Sequence, residues 1–299
     1  MLKIRKLKNF LDLKPEFSNL ENSKVVIIPF GLEQSVSYGQ GTQNGPEAII
    51  KASGEVELFD EELEKEIYRE AGIATLEKIK PSREARKALE QLYQITKEVY
   101  NFGKLPIVLG GEHTLTQGSF KAALEKYNNL TLLQFDAHAD QRDSFEDNKY
   151  SHGAVMRRSL ELSPDFNLVQ IGIRNISNEP SEGGEFDFWK ANQGRIKTFW
   201  AKDMKSWQTE DIVAVCRENV YLTFDVDAFD SSVMPSTGTP EPGGLGWYQV
   251  LDILKKIIAK KKIIGADFVE LAPIKNLSAP DFTVAKLIYK IIGYFKTRV

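Results

Sequence analysis

The feature that most constrains this chain is a series of short, nearly continuous apolar runs that alternate with helix-like segments. Each run is rich in Val, Ile, Leu or Phe, as a strand buried on both faces should be. Six such runs are predicted as strands, namely Lys24–Phe30, Pro106–Gly110, Leu130–Phe135, Asn167–Ile173, Val220–Phe224 and Lys262–Val269. This alternation is typical of the α/β class, in which helices cover both faces of a parallel sheet.

The segments between these strands carry helical patterns. Five helices are predicted, at Glu47–Ala52, Thr114–Tyr127, Thr209–Arg217, Trp247–Lys260 and Thr283–Lys296. A sixth is predicted from Ser82, as its capping residue, to about Asn101, because Leu89, Leu92, Ile95 and Val99 form an apolar stripe. No linker, repeat or low-complexity tract interrupts the pattern. We therefore predict one domain over residues 1–299.

Composition excludes several classes of protein. The 39 basic and 42 acidic residues nearly balance, which gives no support for nucleic-acid binding. No apolar run approaches the ~20 residues of a membrane span, and the basic N-terminus lacks the apolar core of a signal peptide. The one cysteine, Cys216, cannot form an intramolecular disulfide. We predict a cytoplasmic protein with neither a nucleic acid nor a membrane as its partner.

Residues with useful chemistry follow four of the predicted strands. The second strand runs into Gly110–His113, the third into Asp136–Asp140, the fifth into Asp225–Asp227 and the last into Glu270. Ligands of open α/β sheets bind beyond the carboxyl ends of the strands. We therefore expect these segments to meet at one edge of the sheet.

The side chains at these strand ends can bind metal. The candidate ligands are His113, Asp136, His138, Asp140, Asp225 and Asp227. Four buried carboxylates without cations would be costly, and two divalent cations would cancel their charge. Residues two apart leave a strand on the same side, so each D-x-H or D-x-D pair can converge on a shared site. Oxygen and imidazole ligands without a thiolate favour manganese over a structural zinc.

At these residues the sequence resembles the ureohydrolase family, which includes arginase and agmatinase. The matching motifs are GGEH at Gly110–His113, DAHAD at Asp136–Asp140, Ser151–Gly153, TFDVDAFD at Thr223–Asp230, Met234–Leu245 and DFVELAP at Asp267–Pro273. The resemblance implies a three-layer α/β/α fold, arginase/deacetylase-like, with a mostly parallel sheet of about eight strands. It also implies two Mn²⁺ ions per chain, a guanidino substrate, and a homotrimer or homohexamer.

The resemblance also implies roles for the site residues. One metal would be held by His113, Asp136, Asp140 and Asp225, and the other by Asp136, His138, Asp225 and Asp227. Glu270 would bind the guanidinium, and His152 would be a proton shuttle or a substrate contact at the mouth of the site. A metal-bridging hydroxide would attack the guanidino carbon, and Asp140 would carry a proton to the leaving amine. Urea and an amine would be released.

Two segments indicate the agmatinase-like branch of the family. These are Asp136–Arg158 and TGTPEPGG at Thr237–Gly244. The loop Arg142–Ser151 is slightly acidic, which suits a substrate with an amine tail. Agmatine is therefore the predicted substrate, with putrescine and urea as products. Guanidinobutyrate, guanidinopropionate, guanidine and arginine stay open as alternative substrates.

Two alternative functions come from other classes of protein. One is a deacetylase-like metal hydrolase, which would use a single zinc and usually a tandem His-His pair that this chain lacks. The other is a non-catalytic oligomer, although such relatives usually lose metal ligands. Two departures from the family pattern, at Ser231 and Phe30–Ser35, leave substrate specificity open. A third, Glu112 before His113, is expected only to adjust contacts around the ligands. The size of the oligomer, the native metal and any need for a metal-loading protein also stay open.

Overall fold

The computed structural model describes residues 2–297. Eight strands form the central sheet: β1 Val25–Phe30, β4 Ile73–Thr75, β5 Leu105–Gly110, β6 Leu130–Phe135, β7 Phe166–Ile173, β8 Ile196–Trp200, β9 Asn219–Asp225 and β10 Lys262–Val269. Their order is β4-β1-β5-β10-β9-β6-β7-β8, and every pairing is parallel. A small antiparallel hairpin is formed by β2 Phe59–Asp60 and β3 Lys65–Glu66.

Helices cover both faces of the sheet. They are α1 Pro15–Ser18, α2 Gly45–Ser53, α3 Ile67–Ala71, α4 Ala85–Asn101, α5 Thr116–Lys126, α6 Val155–Leu162, α7 Glu185–Ala191, α8 Thr209–Val215, α9 Trp247–Lys260 and α10 Ala279–Thr297. The largest apolar core contains side chains of α2, α8, α9 and α10, whereas α4, α5 and α6 pack on the other face. None of the helices within residues 2–297 has the length and apolar composition needed to cross a lipid bilayer.

Alternation along the strands explains the three layers. Ile27 of β1 and Ile107 of β5 belong to the core on one face, and Val26 and Val108 belong to the core on the other. Successive side chains of a strand point to opposite faces, so a strand that is apolar throughout supplies both cores. The predicted three-layer α/β/α fold is confirmed, and the sheet is entirely parallel.

All six predicted strands are present, but the two strands at the sheet edges were not predicted. β4 has three residues, and β8 is only partly buried, so neither gives a continuous apolar run. Two helix starts were also wrong. α4 begins three residues after Ser82, whose hydroxyl accepts a hydrogen bond from the backbone N–H of Glu84 instead of capping the helix. α10 begins at Ala279, because proline is tolerated in a first helical turn.

Candidate metal centre

The predicted ligands extend from adjacent strands in the middle of the sheet. β5, β10, β9 and β6 are consecutive neighbours, and their carboxyl ends lie at one edge. His113 follows β5, the segment Asp136–Asp140 follows β6, Asp225 ends β9, and Glu270 follows β10 directly. The topology therefore brings together the four segments that the sequence separates by as many as 157 residues.

Five side chains meet there in two overlapping groups. One group contains His113, Asp136 and Asp140, and the other contains Asp136, His138 and Asp227; in each, the candidate ligand atoms lie within 4.8 Å of one another. His113 Nδ1 is 3.1 Å from Asp136 Oδ2 and 3.0 Å from Asp140 Oδ2. His138 Nδ1 is 3.0 Å from Asp227 Oδ2. Asp136 is thus common to both groups.

Asp225 lies beside both groups. Its Oδ2 is 3.5 Å from His113 Nδ1, and its Oδ1 accepts a hydrogen bond of 2.9 Å from the backbone N–H of Asp227. Asp227 Oδ1 in turn accepts from the backbone N–H of Ala137 at 3.0 Å, which ties the end of β9 to the end of β6. These backbone hydrogen bonds fix the carboxylates without using a lysine or an arginine.

Two neutral side chains orient the ligands, and the sequence analysis missed both. Thr223 Oγ1 lies 2.8 Å from His113 Nε2, so that contact leaves Nδ1 facing the carboxylates. Gln134 Nε2 donates a 2.7 Å hydrogen bond to Asp136 Oδ2. Gln134 lies two positions before Asp136, and Thr223 lies two positions before Asp225. This spacing is a signal that could have found them.

Burial and mutual repulsion shift the titration of the carboxylates. Burial raises the pKa of Asp225 well above its ordinary value, and the charges of Asp227 and Asp136 raise it further. Burial and the nearby Asp136 raise the pKa of Asp140 to about 6. Burial also tends to raise the pKa of Asp136, but its contacts with the two imidazoles outweigh this effect and lower it. Without cations, the cluster therefore retains protons.

For the imidazoles, burial lowers the pKa and the neighbouring carboxylates raise it. Burial alone would lower the pKa of His113, but Asp136 and Asp140 raise it well above its usual range. His138 shows the same balance, with Asp227 as the largest opposing charge. His113 Nδ1 is buried and, among the described residues, has no hydrogen bond of good geometry. A nitrogen without a hydrogen bond, surrounded by carboxylate oxygens, fits a divalent cation as the missing partner.

A cavity of about 180 Å³ opens beside these ligands. Its lining includes Asp140, His152 and Glu270, the three residues predicted to be catalytic. Glu270 is buried, and its Oε1 accepts a 2.6 Å hydrogen bond from the backbone N–H of His113. Burial raises the pKa of Glu270 well above its usual value. Asp140 and Glu270 both have left-handed backbones, with φ of 55° and 64°.

His152 lies in the cavity wall, outside both ligand groups. Its Nε2 is 2.9 Å from Ser37 Oγ and its Nδ1 is 3.3 Å from Ser35 Oγ. The ring packs edge-on against Phe145, with the centroids 5.3 Å apart. Burial lowers the pKa of His152 to about 4, so the ring is neutral at pH 7.

The acidic loop Arg142–Ser151 contributes less charge to the cavity than its sequence suggests. Of its charged residues only Arg142 is in the lining. The Asp143 carboxylate accepts a 2.7 Å hydrogen bond from Arg158 and lies 3.5 Å from Arg157. Besides Glu270 and the candidate ligands, the acidic residues of the lining are Glu185 and Glu241. Glu241 enters the sequence analysis only as part of the motif Thr237–Gly244.

Comparison with known proteins gives a consistent result. The model of the Arginase family matches residues 23–293. An N(1)-aminopropylagmatine ureohydrolase of Synechocystis is 35% identical over 96% of this chain and 94% of its own length. An agmatinase of Pyrococcus horikoshii is 30% identical over 94% of this chain and 95% of its own length. The crystal structure of the agmatine ureohydrolase of Thermoplasma volcanium superposes with a TM-score of 0.83 at 28% identity, covering 98% of this chain and 95% of that one.

The match covers almost the whole of the described fold, including all four strands that carry the candidate ligands. It confirms the predicted ureohydrolase resemblance, its agmatinase-like character and the prediction of a hydrolase. The chain belongs to the arginase family.

Proposed function

We propose that this protein hydrolyses the guanidino group of a small cationic compound to urea and an amine, with two Mn²⁺ ions bound to each chain. One observation carries the proposal: two groups of His and Asp ligands share Asp136 beside a cavity that also contains Glu270. The carboxylates of Asp136, Asp140, Asp225 and Asp227 and the imidazoles of His113 and His138 would hold the ions. Bound cations would supply Lewis acidity and an activated water near neutral pH.

The other roles belong to the chain itself. We propose that Glu270 binds the guanidinium, because a carboxylate matches the planar fork of N–H donors. Glu270 is held in place by the backbone N–H of His113, so its position is set before the substrate binds. Asp140 lines the same cavity and would pass a proton to the leaving amine.

His152 is better suited to contacting the substrate than to storing a proton. Its ring is neutral at pH 7, because burial lowers its pKa to about 4. Ser35 and Ser37 lie at its two ring nitrogens and fix its orientation. Of the two roles that the family resemblance implies for His152, we therefore propose the substrate contact.

Agmatine is the first candidate substrate, and a second candidate follows from the relatives. The proteins named as N(1)-aminopropylagmatine ureohydrolases include the Synechocystis relative at 35% identity, whereas the agmatinase of Pyrococcus horikoshii is 30% identical. Both compounds carry a guanidino group at one end and amine nitrogen in the tail. A longer tail would extend from the cavity toward solvent.

Urea release from the Mn²⁺-loaded protein tests the proposal. The panel is agmatine, N(1)-aminopropylagmatine, arginine, guanidinobutyrate, guanidinopropionate and guanidine. We expect the highest kcat/KM with one of the two amine-tailed compounds. A preference for a carboxylate-tailed compound would leave the hydrolase assignment intact and contradict the substrate class. The absence of urea from all six, with metal bound, would contradict the proposed function itself.

A further inference from the structure

The carboxylate of Glu241 lies in the cavity wall beside Asn175 and His138. It accepts a 2.7 Å hydrogen bond from Asn175 Nδ2, and its Oε1 lies 4.0 Å from His138 Nε2. Between residues 2 and 297, no lysine or arginine nitrogen comes within 4.0 Å of this carboxylate. The side chain is one-third exposed, at 33%, so it is open to a molecule in the cavity.

The backbone from Glu241 to Gly244 is fixed by hydrogen bonds. Asp230 Oδ2 accepts hydrogen bonds of 2.7 and 3.1 Å from the backbone N–H groups of Gly243 and Gly244. The guanidinium of Arg174 donates to the backbone oxygens of Glu241 and Pro242, at 2.9 and 3.1 Å. A carboxylate on so constrained a loop is pre-organised for binding, because little freedom is lost when a ligand arrives.

The other charges in the lining already have partners. Glu185 accepts hydrogen bonds of 2.6 and 2.7 Å from the backbone N–H groups of Gln141 and Ser177. Arg142 donates to Glu182 at 2.8 Å, and its Nε lies 3.9 Å from Glu185. Once the metal ligands and Glu270 are set aside, Glu241 is the carboxylate of the described lining that has neither an arginine nor a lysine partner and no backbone N–H donor.

We propose that Glu241 determines substrate specificity by binding the ammonium group of the substrate's tail. The inference rests on the proposed function, since it assigns the second end of the same substrate. Glu270 would bind the guanidinium and Glu241 the amine, so a compound cationic at both ends is held at two points. A carboxylate-tailed compound would meet a like charge at Glu241 and bind more weakly.

Glu241 has one alternative role, orientation of a metal ligand, and the two roles predict different effects of its replacement. A carboxylate near His138 Nε2 could instead orient this imidazole for metal binding. In that case the loss of its charge would lower metal content and would slow every substrate equally. Binding of the tail, by contrast, affects only substrates that have an ammonium group.

The test compares agmatine with n-butylguanidine, which has the same four-carbon chain without the ammonium group. For Glu241→Gln we expect KM for agmatine to rise at least about tenfold, as for a lost charge-assisted hydrogen bond, and kcat/KM for n-butylguanidine to stay within about twofold. Glu241→Asp, which keeps the charge, should recover part of the loss. Glu55→Gln, an exposed carboxylate outside the cavity, is the control for the loss of one charge.

Two further readouts do not depend on turnover. Manganese content, measured by elemental analysis, should be the same in Glu241→Gln and in wild type. Inhibition by 1,4-diaminobutane should weaken about tenfold in the variant, whereas inhibition by 1-butylamine should not change. An equal loss with both substrates, together with reduced manganese, would overturn the proposal in favour of the orienting role.

Three other outcomes would also overturn it. A KM increase for agmatine in Glu146→Gln, but not in Glu241→Gln, would assign tail recognition to the loop Arg142–Ser151. If metal-loaded wild type releases urea from neither compound, the proposed function fails and the inference fails with it. If wild type hydrolyses both compounds and Glu241→Gln discriminates neither, the inference alone fails.

Discussion

At the scale of single residues, the site depends on two strained positions. Asp140 and Glu270 have φ of 55° and 64°, a region that non-glycine residues avoid at a cost of about 1–2 kcal/mol each. The two side chains line the same cavity from different segments of the chain. Asp140 comes from the segment after β6, and Glu270 from the segment after β10. Strain at both positions is consistent with a backbone that was selected for where it places a carboxylate.

The proposed proton transfer by Asp140 can be tested with Asp140→Asn. Asparagine tolerates the left-handed backbone, so we expect the variant to fold normally. Turnover of agmatine should fall by about 10²–10⁴-fold, the usual contribution of a general acid or base. Asp147→Asn is a matched control, since Asp147 also has a positive φ, 60°, but is exposed and outside the cavity. Full turnover by Asp140→Asn with both metals bound would contradict the assigned role.

The titration of the ligands predicts how manganese stabilises the protein at different pH values. The metal-free protein holds extra protons, because the pKa of Asp140 is raised to about 6 and those of Asp225, His113 and His138 are raised well above their usual values. Manganese must displace these protons, so its binding strengthens as pH rises. The increase in Tm on adding a fixed Mn²⁺ concentration should therefore grow between pH 5 and about 8.

The comparison of loaded with metal-free protein at each pH cancels the titration of groups outside the site. Differential scanning fluorimetry in matched buffers is sufficient for this measurement. A Tm increment that is constant over this range, or that shrinks as pH rises, would contradict the assigned ligands.

At the scale of elements, the loop that follows β1 forms one wall of the cavity, through Val36, Ser37 and Gly39. The loop after β1 is held by Glu112, whose Oε2 accepts from the backbone N–H groups of Gln34 and Ser35 at 2.5 and 2.6 Å. Gly111 lets this loop approach, because a Cβ there would lie 1.9 Å from the carbonyl oxygen of Leu32. Two of the three departures from the family pattern, Glu112 and Phe30–Ser35, therefore belong to one contact.

Shortening the Glu112 side chain should release this loop without unfolding the protein. In Glu112→Asp the carboxylate is one methylene farther from the loop, so we expect faster hydrogen exchange at the amides of Gln34 and Ser35. Exchange in β5 and β6 should not change. Glu77→Asp, at an exposed position, is the control. Unchanged protection at Gln34 and Ser35 would show that Glu112 does not hold the loop.

At the scale of the whole molecule, the site and a second buried ionic cluster are separate. Lys290 of α10 is 2% exposed and lies 3.0 Å from Asp60 and 2.9 Å from Glu61. These contacts join α10 to the hairpin β2–β3, and none of the three residues lines the cavity that contains His152 and Glu270. Stability and catalysis can therefore be changed independently.

Replacement of Lys290 should affect stability and leave the chemistry intact. Lys290→Met strands the buried carboxylate of Asp60, and we expect the free energy of unfolding to fall by about 3–5 kcal/mol. Lys286→Met, one turn earlier on α10, breaks a 3.8 Å contact with the exposed Glu61 and should cost about 1 kcal/mol or less. Urea denaturation measures both effects. A similar loss of unfolding free energy in the two variants would mean that the buried Asp60–Lys290 pair contributes no more to stability than the exposed contact of Lys286.

The sequence predicts the central part of this molecule better than its edges. The six central strands are continuous apolar runs, and the ligand motifs follow them directly, so topology alone brings the ligands together. β4 and β8 have no such run. The positive φ of Asp140 and Glu270 is not encoded by a glycine, and Glu241 lies in a loop without periodicity, so neither feature could be read from the pattern.

Some properties remain predictions at this scale. The homotrimer or homohexamer, the cytoplasmic location and the single domain over residues 1–299 follow from the sequence and its family resemblance. The individual roles of the ligands and of Asp140, His152 and Glu270 are predictions as well. The family and the three-layer fold rest on direct comparison.

The central claim is that two metals bind around Asp136 and make the cavity a guanidino hydrolase. The most direct measurement is a manganese titration of the metal-free protein, with bound metal and urea release from agmatine recorded on the same samples. We expect activity to reach its plateau at two Mn²⁺ per chain, and Asp136→Asn to lose both tight binding and activity. Full activity with a single metal per chain, as in the deacetylase-like alternative, would contradict the claim.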